Sequence, residues 1–163
     1  MQYNLKTMTF SADNALQIAM QMERLGQILY ESLAARSNNE QIKTFASKLA
    51  EEEKKHLWTF QRMYHSIPID QCGPKMTEDQ LIAAAGKFYK LILPTTGEIH
   101  KLAKSADIPN VLATAMQMES DSIAFYLTMT ASAGGASIIR EIIEEEKKHL
   151  AKLRDYSNQL KPN

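Results

Sequence analysis

The sequence predicts an all-α protein: a four-helix bundle of two antiparallel hairpins joined by a long, partly helical crossover. Three observations predict it. Apolar residues recur at spacings of three and four over four long stretches, the signature of amphipathic helices. Two short polar or glycine-rich turns, Ser37-Asn38-Asn39 and Gly134-Gly135, divide these stretches into pairs. Two motifs occur once in each half. Glu51-Glu52-Glu53-Lys54-Lys55-His56-Leu57 returns as Glu144-Glu145-Glu146-Lys147-Lys148-His149-Leu150, and Gln21-Met22-Glu23 with Tyr30 returns as Gln117-Met118-Glu119 with Tyr126.

The first hairpin covers about 11–65. Its first helix runs from about Ser11 or Ala12 to about Arg36, with Ser11 as N-cap. Leu16, Ala19, Met20, Gly26 and Tyr30 form its apolar face, and Glu23 falls in the middle of them. The second helix runs from about Glu40 to Tyr64, with Ala46, Leu49, Ala50, Leu57 and Phe60 beside Glu53 and His56. The second hairpin covers about 110–159. Its first helix starts near Asn110, after Pro109, and ends near Ser132, with Leu112, Ala115, Met116, Ile123 and Tyr126 around Glu119. Its second helix runs from about Ala136 to Gln159, with Ile139, Ile142, Ile143, Leu150 and Leu153 beside Glu146 and His149. The crossover, about 66–109, contains Pro68, Pro74 and Pro94, and helical stretches at roughly 77–91 and 96–105. A bundle with only short loops would not need it.

At 163 residues the chain reads as one domain, large enough for a sizeable core. Lys and Arg (19) balance Asp and Glu (19), with no basic stripe, which excludes nucleic acid as the expected partner. Cys72 is the one cysteine, so a disulfide scaffold, a zinc ribbon and a Cys-ligated iron site are excluded. The first ten residues lack an apolar segment of signal-peptide length, and no apolar run would cross a bilayer. The expectation is a soluble cytoplasmic protein.

Residues three apart on a helix share a face. Glu53 and His56 therefore point together, as do Glu146 and His149. Glu51, Glu52, Lys54 and Lys55 are expected on the flanks or in solvent. A lone Glu from each of two helices plus a Glu-x-x-His from each of two others is the ligand set for a pair of iron or manganese ions in a bundle core. Glu23, Glu53, His56, Glu119, Glu146 and His149 supply it. Helical rise tests the idea independently. Glu23 and Glu53 are equidistant from Asn38, and Glu119 and Glu146 from the Ser132–Ala133 junction. Both pairs are thus level, roughly 20 Å from their turns.

Four ionised carboxylates in a core would repel one another and be costly to desolvate. Two divalent cations balance them, and mixed oxygen and nitrogen ligation suits iron or manganese. Zinc could replace them in purified protein. Glu53 and Glu146 are expected to bridge, each sharing a helical turn with a histidine, and Glu23 and Glu119 to be terminal. Tyr30 and Tyr126, two turns after the lone Glu residues, are candidate hydrogen-bond donors to ligand carboxylates. Gly26 and Ser122, one turn after them, are a candidate access face, small enough to leave room for an oxidant. Met20 and Met116 are expected in the core, and His65 and His100 on the surface.

The chain resembles the rubrerythrin-like branch of the ferritin-like superfamily. The resemblance rests on Ala19-Met20-Gln21-Met22-Glu23 with Tyr30, Leu49-Ala50-Glu51-Glu52-Glu53-Lys54-Lys55-His56, Ala115-Met116-Gln117-Met118-Glu119 with Phe125-Tyr126, and Ile143-Glu144-Glu145-Glu146-Lys147-Lys148-His149. It implies a ferritin-like bundle, a non-haem di-iron centre, a cytoplasmic homodimer, and chemistry with dioxygen or hydrogen peroxide using an external electron donor. The chain departs from the family pattern in two ways. The cysteines of a rubredoxin domain are missing. Ser122 stands where rubrerythrins carry a further Glu, which leaves a more symmetric, ferritin-like set. Three functional classes follow: a di-iron oxidoreductase of ferroxidase or peroxidase type, a non-catalytic iron or manganese carrier, and a structural bundle with a retained metal site.

Overall fold

The structure, a computed structural model, describes residues 12–105, 107–130 and 136–159. The long helices are α1 (Ala12–Arg36), α2 (Glu40–His65), α5 (Ile108–Met129) and α6 (Ala136–Gln159). Between α2 and α5 lie a short 3₁₀ turn (Ile69–Gln71), α3 (Glu78–Ala84) running on into a π-helical turn (Ala85–Tyr89), and α4 (Thr96–Lys104). The expected N-cap Ser11, the expected end of the third long helix at Ser132 and the Gly134-Gly135 turn lie outside the described residues. Among the described residues no helix is long and apolar enough to cross a membrane.

Local chemistry accounts for the boundaries. Asn39 accepts from the Ile42 N–H through its side chain and starts α2. Thr77 and Thr95 form capping boxes with Gln80 and Glu98, which start α3 and α4. The third long helix begins two residues earlier than expected. Asp107 caps it through the Asn110 N–H, and Pro109 sits inside the first turn, where its missing N–H has no intrahelical role. The π turn ends at Lys90, whose φ of 58° places it in the left-handed region.

α1 packs closely on α2, and α5 on α6; α1 also meets α5, whereas α2 and α6 approach one another only sparsely. Tyr30, Tyr126, Phe60, Phe125, Ile18, Leu25, Leu29 and Leu49 are among the fully buried side chains of the core. Met20 and Met116 pack partly buried against it.

The sequence predicted one apolar face for α1, yet α1 is buried almost all round over its first half. The cause is the crossover. The polar side chains Asp13, Gln17 and Gln21 of α1, spaced by four, hold that segment in place. Asp13 accepts from the Gly73 N–H at 2.9 Å, and Gln17 accepts from the Met76 N–H at 2.7 Å. Gln21 donates to Glu78, which also accepts the Thr96 N–H at the start of α4. Residues that look like a solvated stripe are therefore buried anchors.

Truncating the core on the helix that meets both hairpins, Leu25→Ala, should cost about 2–5 kcal/mol. Gln17→Ala should cost about 1 kcal/mol through its lost hydrogen bond. Urea unfolding measures both; a Gln17→Ala midpoint equal to wild type would show that this row does not anchor the crossover.

Candidate metal centre

Each long helix brings polar side chains to one level of the core. Glu23 comes from α1, Glu53 and His56 from α2, Glu119 from α5, and Glu146 and His149 from α6; all six are buried. They form two overlapping groups. Glu23, Glu53, His56 and Glu146 offer ligand atoms that all lie within 4.8 Å of one another, and so do those of Glu53, Glu119, Glu146 and His149. Glu53 and Glu146 belong to both groups.

The reason is visible atom by atom. Glu146 turns Oε1 toward His56 Nδ1 (2.9 Å) and Oε2 toward His149 Nδ1 (3.3 Å). Glu53 does the same, with Oε2 3.9 Å from His56 Nδ1 and Oε1 3.7 Å from His149 Nδ1. Glu23 reaches only the His56 side, at 3.2 Å, and Glu119 only the His149 side, at 3.7 Å. The two imidazoles lie nearly parallel, 19° apart, with centroids 6.2 Å from each other.

Both tyrosines donate to a carboxylate of this cluster, and they do so crosswise. Tyr30 on α1 donates to Glu119 on α5, and Tyr126 on α5 donates to Glu23 on α1. In both pairs the residue numbers add to 149, the mark of antiparallel neighbours in fixed register. α2 and α6 show the same relation. His56 Nε2 lies 2.8 Å from Glu145 Oε2, and His149 Nε2 lies 2.7 Å from Glu52 Oε2, both pairs adding to 201. The site thus has an approximate twofold axis.

Glu52 was expected on the flanks or in solvent, and Glu145 is its counterpart in the second half. Their side chains keep 25% and 51% exposure, and each also reaches a histidine of the other hairpin. A signal existed. Each sits four residues before the histidine of its own helix, hence near the same face, and the position repeats in both halves. What the sequence withheld is that the partner lies on the opposite helix.

Of the two candidate access-face residues, Gly26 lies against Glu53. A Cβ there would lie 3.3 Å from Cδ of Glu53, so the space the glycine leaves is taken by that carboxylate arm. Ser122 is buried, and its hydroxyl donates to the Met118 carbonyl one turn back. His65 and His100 are exposed, away from the cluster.

Electrostatics reflects four carboxylates in one core. Burial, then the Glu146 and Glu23 charges, push the Glu53 carboxyl well above its ordinary value. Burial and the Glu146 charge do the same to Glu119, against the hydrogen bond from His149. Burial would raise Glu146 too, but hydrogen bonds from Glu119, His149 and His56 hold it below the ordinary range. Burial works to lower His56, but the Glu146 and Glu23 hydrogen bonds outweigh it and push the imidazole up to about 12. His149 is raised to about 10 in the same way, by Glu119 and Glu146 against burial. Burial, then the neighbouring carboxylates, raise both tyrosines, so Tyr30 and Tyr126 remain donors.

Protons thus neutralise the cluster where no other cation does. They fit it poorly: the one Nδ1–H of His56 faces Glu23, Glu53 and Glu146, and the one of His149 faces Glu53, Glu119 and Glu146, more acceptors than a single donor can serve. A donor set of carboxylate oxygens and imidazole nitrogens, with lone pairs left over, fits a divalent cation.

Comparison with known proteins agrees with this architecture. The rubrerythrin family model matches residues 13–91. No curated protein matches the chain. A Thermotoga maritima crystal structure, described as a ferritin-like diiron-carboxylate protein, superposes with a TM-score of 0.71 at 24% identity, covering 93% of this chain and 97% of that one. A Pyrococcus furiosus protein described as hypothetical superposes with a TM-score of 0.63 at 24% identity, covering 94% and 92%. These structures share the fold.

The metal-free protein should lose stability as pH rises from 6 to 9. The raised imidazoles contribute stability fully present below their unfolded value of about 6.5 and lost as pH climbs through about 10 and about 12. Glu53 and Glu119, also raised, act in the same sense: their ionisation opposes folding above the ordinary carboxyl range. Glu146, depressed, contributes stability above the ordinary carboxyl range that is lost only as acid protonates it. Urea midpoints of chelator-treated protein at pH 6 and pH 9 measure the balance, and a higher midpoint at pH 9 would contradict it.

Proposed function

We propose that this rubrerythrin-like chain of the ferritin-like superfamily holds two iron ions among its four long helices. In this reading it is an oxidoreductase that reduces dioxygen or hydrogen peroxide, with electrons from Fe2+ itself or from a separate donor. The observation that carries the reading is the pair of carboxylates, Glu53 and Glu146, each with one oxygen toward His56 and the other toward His149. Glu53 and Glu146 would be held in common by the two metal positions. Glu23 and His56 would complete one position, and Glu119 and His149 the other. Manganese suits the same donors, and zinc can occupy them in purified protein.

The bound ions would supply electrons and Lewis acidity for reducing an O–O bond. The chain's own side chains do the rest. Burial of all six ligands keeps bulk water from the site. Tyr30 and Tyr126 hold Glu119 and Glu23 by hydrogen bonds, which fixes the terminal carboxylates from the neighbouring helix. Glu53 lies against Gly26, where any side chain would crowd it. Ser122 occupies its position without adding a seventh ligand, because its hydroxyl is engaged by its own helix.

Metal binding should release protons, since His56 and His149 are protonated at neutral pH without it. A pH-stat titration with anaerobic Fe2+ at pH 7 should record release from both imidazoles, and loading should raise the melting temperature by linkage. Neither proton release nor a melting shift on adding Fe2+ or Mn2+ would refute the metal centre. Adding air or peroxide to the Fe2+ form should then oxidise it within seconds. Oxidation no faster than Fe2+ free in buffer would favour the carrier reading over the oxidoreductase. Ser122→Leu should slow oxidation with metal content kept; unchanged rates would show that this side does not control access.

A further inference from the structure

We infer that Glu52 and Glu145 are positioning residues. Each holds the histidine of the opposite hairpin with Nδ1 turned into the carboxylate cluster, and so sets how tightly that half of the site binds metal. This rests on the metal-centre reading proposed above.

The argument starts from what a carboxylate can do. It only accepts, so Nε2 of each ring carries the proton in the contacts His56–Glu145 (2.8 Å) and His149–Glu52 (2.7 Å). A neutral imidazole with its proton on Nε2 has its lone pair on Nδ1. Nδ1 is the atom that faces Glu23, Glu53 and Glu146 on one side, and Glu53, Glu119 and Glu146 on the other. The opposite tautomer would set an N–H against the metal position and a lone pair against the outer carboxylate. Both outer contacts therefore select the ligating form of the ring and fix its orientation.

Placement separates these two residues from the ligands. The six ligands are buried, whereas Glu52 and Glu145 keep 25% and 51% of their side-chain surface exposed. They face the rings from outside the cluster, on the side where α2 and α6 meet only sparsely. Each contact crosses that side from one hairpin to the other, in opposite directions. A ring is therefore set correctly only when the two hairpins are docked in register.

Full-length Glu52→Ala, Glu145→Ala, Glu52→Gln and Glu145→Gln, titrated anaerobically with Co2+ at fixed pH, test the inference. Each Ala variant should lose affinity at one of two positions by about 10–100-fold. Its helical content and chelator-treated melting temperature should stay near wild type. The Gln variants keep an acceptor oxygen and should recover most of the loss. NMR of the Zn2+-loaded protein gives a readout that packing alone would not move. The slowly exchanging Nε2 proton of His56 should disappear in Glu145→Ala and persist in Glu52→Ala, with the converse for His149. Wild-type affinity in the Ala variants would overturn the inference, as would Gln variants as weak as Ala, which would make charge rather than orientation the cause. Failure of the wild-type protein to take up Co2+ would instead remove the metal-centre reading itself.

Discussion

Four carboxylates meet two imidazoles in the interior of a helical bundle, and the arrangement is stable only if positive charge accompanies them. Isolated ionised carboxylates are costly to bury. The chain meets that cost with protons when nothing else is present. His56 and His149 are held charged, Glu53 and Glu119 are pushed toward their neutral forms, and Glu146 is kept ionised at the centre. The same side chains, deprotonated, form an oxygen and nitrogen donor set. Protonation, metal affinity and fold stability are therefore linked through one cluster.

The geometry that makes this cluster symmetric is helix register. The tyrosine–carboxylate pairs join α1 to α5, and the histidine–carboxylate pairs mark the register of α2 against α6. Both relations are antiparallel, so α5 must begin at the end of the bundle opposite to where α2 stops. The crossover spans that distance. Its attachment along Asp13, Gln17 and Gln21 explains why α1 alone is buried on nearly all sides of its first half. A connecting segment that reads as irregular in sequence thus decides the topology on which the site depends.

The two halves are similar but not equivalent. Gly26 and Ser122 occupy matching positions, yet Glu53 fills the space beside Gly26 while Ser122 bonds to its own helix. The outer carboxylates also differ, Glu145 being twice as exposed as Glu52. A repeated sequence therefore yields a twofold framework with distinguishable ends.

The sequence by itself determined the four long helices, the pairing of Glu53 with His56 and of Glu146 with His149, and the common level of the six polar side chains. These follow from helical period and rise, which are properties of one helix and its turn. Only the tertiary structure decided which tyrosine meets which carboxylate, that Glu52 and Glu145 reach across to the opposite histidines, and that Gly26 makes room for Glu53. Period gives the direction of a side chain about its own axis. It carries no information about how far a neighbouring helix has slid along that axis, and that displacement is set by the crossover and by core packing. Tyr30 illustrates the difference: its face was legible beside Glu23, but its bond goes to Glu119, because α5 runs antiparallel to α1 in a register no single helix encodes.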